Sequence, residues 1–241
     1  MNKTSIEWTE NTWNPITGCT QISAGCKNCY AKRMAKRLTA MGNPRYLNGF
    51  SVTIHRDLFE APLQKKKPQI IFVCSMSDLF HEEVSFEVIE EIFDNMKKAN
   101  WHIFQVLTKR AKRLKEFSAL YKIPDNVWVG TSIENKDVIS RLDCLKLTIA
   151  KTKFLSCEPL IGPLDNIDLS GIDWVVVGGE SGPGSRPIEK SWVTHIKNQC
   201  ELYDVNFFFK QWGGFNKKKN GRELEGKIYS QMPELPSAFT K

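Results

Sequence analysis

At 241 residues, with 41% apolar and 25% charged side chains, the chain can bury a sizeable core, and its balanced composition excludes a disordered or collagen-like protein. No run approaches the ~18 apolar residues of a membrane span, and "MNKTSIEWTENTW" lacks the apolar centre of a signal peptide; a cytoplasmic protein with no membrane contact is expected. The net charge of +7 is concentrated, since ten Lys or Arg between Lys27 and Lys67 face only Asp57 and Glu60.

In chain order, "SIEW" near the N-terminus predicts a first short strand, and "SVTIH" over residues 51–55 another. A helix over "NCYAKRMAKRLTAM" stops near "GNP". Six further β-like runs follow at residues 69–75, 102–108, 126–132, 153–158, 173–180 and 205–213. Most are apolar on consecutive positions, the pattern of strands buried on both faces of a parallel sheet. Between them lie "SFEVIEEIFDNMKKA", with Ser85 as N-cap and Val88, Ile89, Ile92, Phe93 and Met96 on one stripe, then "KRAKRLKEFSAL", "KDVISRLDCLKLT" and "EKSWVTHIKNQCELY". Strand–helix alternation of this length predicts βα units closing into a partial or full (β/α) barrel over residues 1–213, with an open doubly wound sheet as the alternative. Residues 214–241 read as a polar tail on the surface.

Each strand run ends in polar or reactive residues: Ser75, Ser77 and Asp78; Thr108, Lys109 and Arg110; Thr131, Ser132 and Glu134; Cys157 and Glu158; Gly178, Gly179, Glu180 and Ser181; Lys210, Gln211 and Trp212. In a barrel these converge on the C-terminal face, where active sites lie. A basic cluster, "TKRAKRLKEF" over residues 108–117, suits either a solvated helix face or a footprint for a polyanion such as nucleic acid.

Of seven cysteines, Cys74, Cys144, Cys157 and Cys200 are dispersed and read as ordinary buried or half-buried thiols. Cys19, Cys26 and Cys29 cluster as C-x6-C-x2-C in a loop over residues 17–30. An odd count in a reducing compartment argues against a disulfide framework. A zinc site would need a remote fourth ligand, because no second paired spacing exists and the next histidine is His55. Three thiolates suit a [4Fe–4S] cluster with one open iron. Three unrelated thiols remain the plain alternative.

The blocks "WTENTWNPITGCTQISAGCKNCYA", "FVCSMSDLFHE", "FQVLTKR", "SCEPLIGP", "VVVGGESGPGSRP" and "FFFKQWG" together resemble a phage-associated family of unknown function with a three-cysteine motif, over about residues 5–213. More distantly, a cysteine loop after the first strand of a (β/α) barrel resembles the radical SAM superfamily. Here the first gap is six residues rather than that superfamily's commonest three, and Asn28 replaces the aromatic before the last cysteine, with Tyr30 following.

The resemblance implies a radical SAM fold and two cofactors, a [4Fe–4S] cluster on Cys19, Cys26 and Cys29 and S-adenosylmethionine (SAM) on the open iron. An external electron donor would drive reductive cleavage of SAM to a 5′-deoxyadenosyl radical. It further implies Ser75, Ser77 and Asp78 as contacts to the SAM amino group and ribose, with Tyr30 beside the cofactor. Ser132 and Glu134 would reach the ribose or carboxylate, and Gly178, Gly179 and Glu180 would admit the SAM backbone. Cys157, Glu158 and Lys210 would line the substrate side, Cys157 as hydrogen donor or extra ligand unless it is simply a buried thiol. A nucleotide or nucleic-acid-linked substrate is expected from the basic clusters. The alternatives are a non-enzymatic nucleic-acid-binding protein with a zinc-stabilised cysteine loop, and a metal-free hydrolase using Glu158, Glu180 or Asp78. Oligomeric state is unreadable.

Overall fold

The structure is a computed structural model, and it describes residues 1–4 and 6–239. Its strands and helices, in chain order, are β1 (Asn2–Lys3), β2 (Asn11–Trp13), β3 (Ile16–Thr17), α1 (Tyr30–Ala40), β4 (Thr53–Ile54), β5 (Ile70–Val73), α2 (Phe86–Lys98), β6 (Ile103–Thr108) and α3 (Ala111–Leu120). They continue as β7 (Val127–Ser132), α4 (Ser140–Lys146), β8 (Thr152–Cys157), β9 (Trp174–Gly178), α5 (Lys190–Leu202), β10 (Asn206–Gln211), the short α6 (Lys217–Asn220) and a hairpin of β11 (Glu223–Leu224) and β12 (Lys227–Ile228).

Seven strands, β2-β5-β6-β7-β8-β9-β10, are parallel neighbours in that order, and β1 pairs antiparallel at the β2 edge. Each βα unit therefore adds one strand on the same side, and the sheet curls into an open half-barrel, the partial (β/α) barrel expected. "SVTIH" supplies β4, which pairs antiparallel with β3 rather than entering the main sheet. "SIEW" is not the first parallel strand. Ser5 lies outside the described residues, Ile6–Trp8 are irregular, and β2 takes that place.

Alternation along each strand sorts side chains to two faces. Ile71, Val73, Phe104, Val106, Val129, Leu155, Val175, Val177 and Phe209 meet the helices on the convex side. Ile70, Phe72, Ile103, Trp128, Phe154, Trp174, Val176 and Phe208 line the concave side with Trp8. The Trp8 ring sits 4.9 Å from Phe72 and 5.7 Å from Trp174, both edge-on. Burial on both faces explains the uninterrupted apolar runs.

The C-terminal segment departs from the polar tail expected. Met232, Leu235 and Phe239 pack against the concave cluster, and Trp174 Nε1 donates to the Gln231 carbonyl at 2.8 Å. Three apolar residues scattered among prolines and polar residues carry no period to read. Among the described residues no helix is long and apolar enough to cross a membrane.

Trp174 is fully buried and touches Trp8, Trp128, Phe154 and Phe208. Trp174→Ala is expected to cost about 3–5 kcal/mol, read as a lower urea midpoint at unchanged slope. Leu202→Ala, at a side chain 73% exposed, should stay within about 0.5 kcal/mol.

Candidate metal centre

The cysteine loop begins at the end of β3 and is pinned from its first residue. Gly18 has φ +86°, and a Cβ there would lie 2.1 Å from the Ser51 carbonyl oxygen, so no other residue fits. The Gly18 N–H donates to Met76 O at 3.0 Å and the Cys19 N–H to Phe50 O at 3.1 Å. Cys26 closes a single 3-10 turn, Ala24–Cys26, and Cys29 is the residue before the first turn of α1. All three thiols are free and half-buried.

Three buried carboxylates, each from the end of a different strand and each paired with an arginine, hold this loop across the C-terminal mouth. Asp78, after β5, takes Arg110 Nη1 at 3.1 Å, and Arg110 Nη2 reaches Thr20 Oγ1 at 3.0 Å. Glu134, after β7, accepts the Gly25 N–H at 3.0 Å and Arg141 Nη1 at 3.0 Å. Glu180, after β9, accepts Asn28 Nδ2 at 2.9 Å and Arg186 Nε at 2.9 Å, while Arg186 Nη1 donates to Ala24 O at 2.9 Å. Each anchor is the neighbour of one cysteine: Thr20 of Cys19, Gly25 of Cys26, and Asn28 of Cys29.

The electrostatics follow from burial opposed by these pairs. Burial and then Asp78 push the Cys19 thiol up to about 11 against the pull of Arg110. Burial would raise the Glu134 carboxyl, but Lys109, Ser23, Arg141 and the Gly25 N–H hold it below the usual carboxylate range. Burial likewise opposes the shift at Glu180, which Arg186 and Asn28 nevertheless bring down to about 2.

The structure thus gives Asp78, Glu134 and Glu180 positions different from open cofactor contacts. Asp78 already accepts from Phe80 N, Thr108 Oγ1, Lys109 N and Arg110, while Glu134 and Glu180 are taken up by the loop residues Gly25 and Asn28 and by Arg141 and Arg186. Ser77 Oγ donates to Ile16 O at 2.7 Å and Ser75 Oγ to Asn14 Oδ1 at 3.1 Å, while the Tyr30 hydroxyl donates to the Ser75 carbonyl. Ser132 is buried at the end of β7. The space beside Gly178 is filled by the Glu158 carboxylate and that beside Gly179 by the Trp212 carbonyl, each 2.1–2.3 Å from where a Cβ would stand. Lys210 and Glu158 do meet, with Nζ 3.1 Å from Oε1, and Lys210 Nζ lies 6.0 Å from the Trp8 ring centroid on the concave side. Cys157 does not join them. It packs among the convex-side residues near Cys200 and is fully buried, so it is the buried thiol of the two alternatives and not a group at the mouth.

The sequence marks Arg110 as a polar strand end but not as the partner of Asp78, and it does not mark Arg141, Arg186, Thr20 or Asn28 as parts of this site. Their only signal was an arginine placed shortly after each polar strand end. In "TKRAKRLKEF", Arg110 is inward-facing with a side chain 3% exposed, and Arg113 lies over the Phe86 ring and donates to Val84 O, so this cluster is only partly a surface footprint. On α1, by contrast, Lys32, Lys36 and Arg37 are exposed and make no ion pair among the described residues.

Among the described residues no three His, Cys, Asp or Glu side chains close into a preformed ligand cage. The donor set itself fits an iron–sulfur cluster, as three free, half-buried thiols on one clamped loop. Of the histidines and cysteines outside the cluster, His81 lies beside the loop but is bonded through Nε2 to Thr20 Oγ1 at 2.8 Å and accepts the Glu83 N–H at Nδ1 at 3.1 Å. His55 Nε2 is bonded to Thr17 Oγ1 at 2.9 Å, and Cys74 is buried in the core.

A family described as "protein of unknown function (DUF5131)" matches residues 3–233. None of the curated proteins matches the chain. Among solved structures, a cysteine-to-serine variant of spore photoproduct lyase aligns with a TM-score of 0.52 at 12% identity, over 87% of this chain and 78% of that one. A cysteine-to-alanine variant of the same enzyme aligns with a TM-score of 0.51 at 12% identity and the same coverage. At this identity the likeness is one of fold, an open half-barrel of parallel strands.

Two outcomes follow for the clamps. A Cβ on Gly25 would stand 2.8 Å from Glu134 Cδ, so Gly25→Ala is expected to lower stability by about 1–3 kcal/mol in urea unfolding. Glu180 has a folded-state pKa of about 2 against an ordinary 4.5, so its contribution is complete above pH 4.5 and is lost as pH falls through 2. Glu180→Gln should therefore destabilise the protein at pH 7 and flatten its stability profile between pH 4.5 and 2.

Proposed function

The chain belongs to the family of unknown function DUF5131, and we propose that it is a radical SAM enzyme whose Cys19, Cys26 and Cys29 hold a [4Fe–4S] cluster, acting on a nucleotide or nucleic-acid-linked substrate. The observation that carries this is the placement of three free cysteines on one loop, fastened at three points over the C-terminal mouth of a radical SAM half-barrel. When bound and reduced by an external donor, the cluster supplies the electron that cleaves SAM to a 5′-deoxyadenosyl radical able to abstract a substrate hydrogen.

The chain's own residues supply binding and shelter. The three carboxylate–arginine pairs fix where the cysteines stand, and each buried carboxylate is matched by an arginine. Ser75, Ser132 and Tyr30 sit at strand ends or the loop edge where a cofactor beside the cysteines would be held. On the concave side, Ser156 Oγ, Gln105 Oε1 and Trp8 Nε1 are buried with no partner among the described residues. Unpartnered buried polar atoms are costly, and a bound ligand or water would satisfy them. Lys210, paired with Glu158 and 6.0 Å from the Trp8 ring centroid, would supply a charge toward a substrate entering from the mouth. Lys32, Lys36 and Arg37 on α1 suit the phosphates of such a substrate.

Anaerobic reconstitution should give a brown protein with about four iron and four sulfide per chain. With dithionite and SAM it should release 5′-deoxyadenosine, and replacing any one of Cys19, Cys26 and Cys29 with alanine should abolish that release. A colourless protein holding one tightly bound zinc, indifferent to SAM and binding nucleic acid with a steep salt dependence, would instead establish the non-enzymatic alternative.

A further inference from the structure

The three cysteines do not have equivalent surroundings. Among the described residues the hydrogen-bond contact to the Cys26 sulfur is the Ser23 hydroxyl, at 3.9 Å. Cys19 Sγ lies 3.6 Å from Nη1 of Arg110, a full positive charge in an inward-facing position. Arg110 does not belong to the cysteine loop. It precedes α3, at the C-terminal end of β6, so this sulfur is held from the barrel itself.

Every edge of the guanidinium is occupied. Nη1 serves Cys19 Sγ and, at 3.1 Å, Asp78 Oδ2; Nη2 serves Thr20 Oγ1 at 3.0 Å and Thr20 O at 3.5 Å; Nε serves Glu82 Oε2 at 2.7 Å. Asp78 is itself fixed by Thr108 Oγ1 at 2.6 Å and by two backbone N–H groups at 3.0 Å. The fork is thus held by Asp78 and Glu82 on one side and by Thr20 of the loop on the other, with Nη1 turned toward Cys19. A lysine could match the charge but not this geometry.

We propose that Arg110 is a positioning residue for the cluster. Its N–H···S contact orients Cys19 as a ligand, slows loss of iron, and raises the reduction potential by stabilising the extra negative charge on the reduced cluster. This rests on the three-cysteine cluster reading above. Hydrogen bonds to ligand sulfurs are among the factors that set iron–sulfur potentials, and partners that orient ligands govern metal retention. The redox step is the one-electron reduction of the cluster, with dithionite as donor in the assay and oxidised to sulfite.

The test compares reconstituted wild type with Arg110→Gln, Arg110→Lys and, as a control that removes a positive charge two residues away from an exposed position on α3, Lys112→Gln. Arg110→Gln is expected to release iron to a chelator about tenfold faster. It should also shift the reduction equilibrium about tenfold toward the oxidised cluster, a midpoint about 59 mV lower by EPR redox titration. Arg110→Lys should recover part of both effects, and Lys112→Gln should stay within about twofold of wild type in each. Equal potentials and equal iron release in wild type and a folded Arg110→Gln would overturn the inference while leaving the cluster assignment intact. If Arg110→Gln does not fold, Arg110→Lys decides by the same two readouts. A further measurement needs no variant, because in wild type carrying 15N-arginine the reduced cluster should show a 15N coupling by pulsed EPR; its absence counts against the contact. Wild type that takes up no iron overturns the cluster assignment and this inference together.

Discussion

The constraint on which the rest depends is the burial of three carboxylates at the mouth of the half-barrel. An unpaired buried charge is expensive, and removing one partner of a buried pair costs about 3–5 kcal/mol. Asp78, Glu134 and Glu180 meet that constraint by drawing Arg110, Arg141 and Arg186 inward. Two of the arginines and two of the carboxylates have donors or lone pairs left over, and these go to the cysteine loop. A loop with few regular hydrogen bonds of its own is thereby tied to β5, β7 and β9 by the electrostatic needs of groups on those strands. Alternate strands contribute, so the attachments are spread around the rim.

Side-chain parity then divides the chemistry from the packing. Ser156 and Cys157 are adjacent in β8 and face opposite ways, the hydroxyl into the concave chamber and the thiol into the apolar layer under the helices. The same alternation places Lys210 with Phe208 on the concave side and Phe209 against the helices. A polar residue at a strand end is available to a ligand only if it falls on the right parity, a test that residue type alone does not apply.

Much of this architecture was legible in the sequence. The six long strands and the helices between them announced themselves through apolar runs and 3.6-residue stripes, because a parallel sheet covered on both faces leaves strands little freedom in composition. The three cysteines were equally plain, being clustered and unmatched by a second pair. Less legible was the first strand, "NTW", since three residues carry no period, while "SIEW" offered an apolar pair whose Trp8 fills the chamber instead of pairing in the sheet. The acidic residues were found but their partners were not. A carboxylate's commitment is set by which arginine folds back on it, and Asp78–Arg110 spans 32 residues with nothing local to mark it. Gly178 and Gly179 show the same gap. Room for close approach was readable, but what approaches, a carboxylate and a carbonyl of the chain itself, was not.

Both ends of the chain meet on the concave side, near the beginnings of the strands. Trp8 lies against Phe72 and Trp174, and the Gln231 carbonyl and side chain bind Trp174 Nε1 and the Phe207 N–H beneath it. An incomplete barrel is ordinarily a trough that drains at both ends. Here the segments around Trp8 and Gln231 cover one end of that trough, while the cysteine loop is fastened at the other, so the two ends of the sheet are closed by different devices, apolar packing below and carboxylate–arginine pairs above.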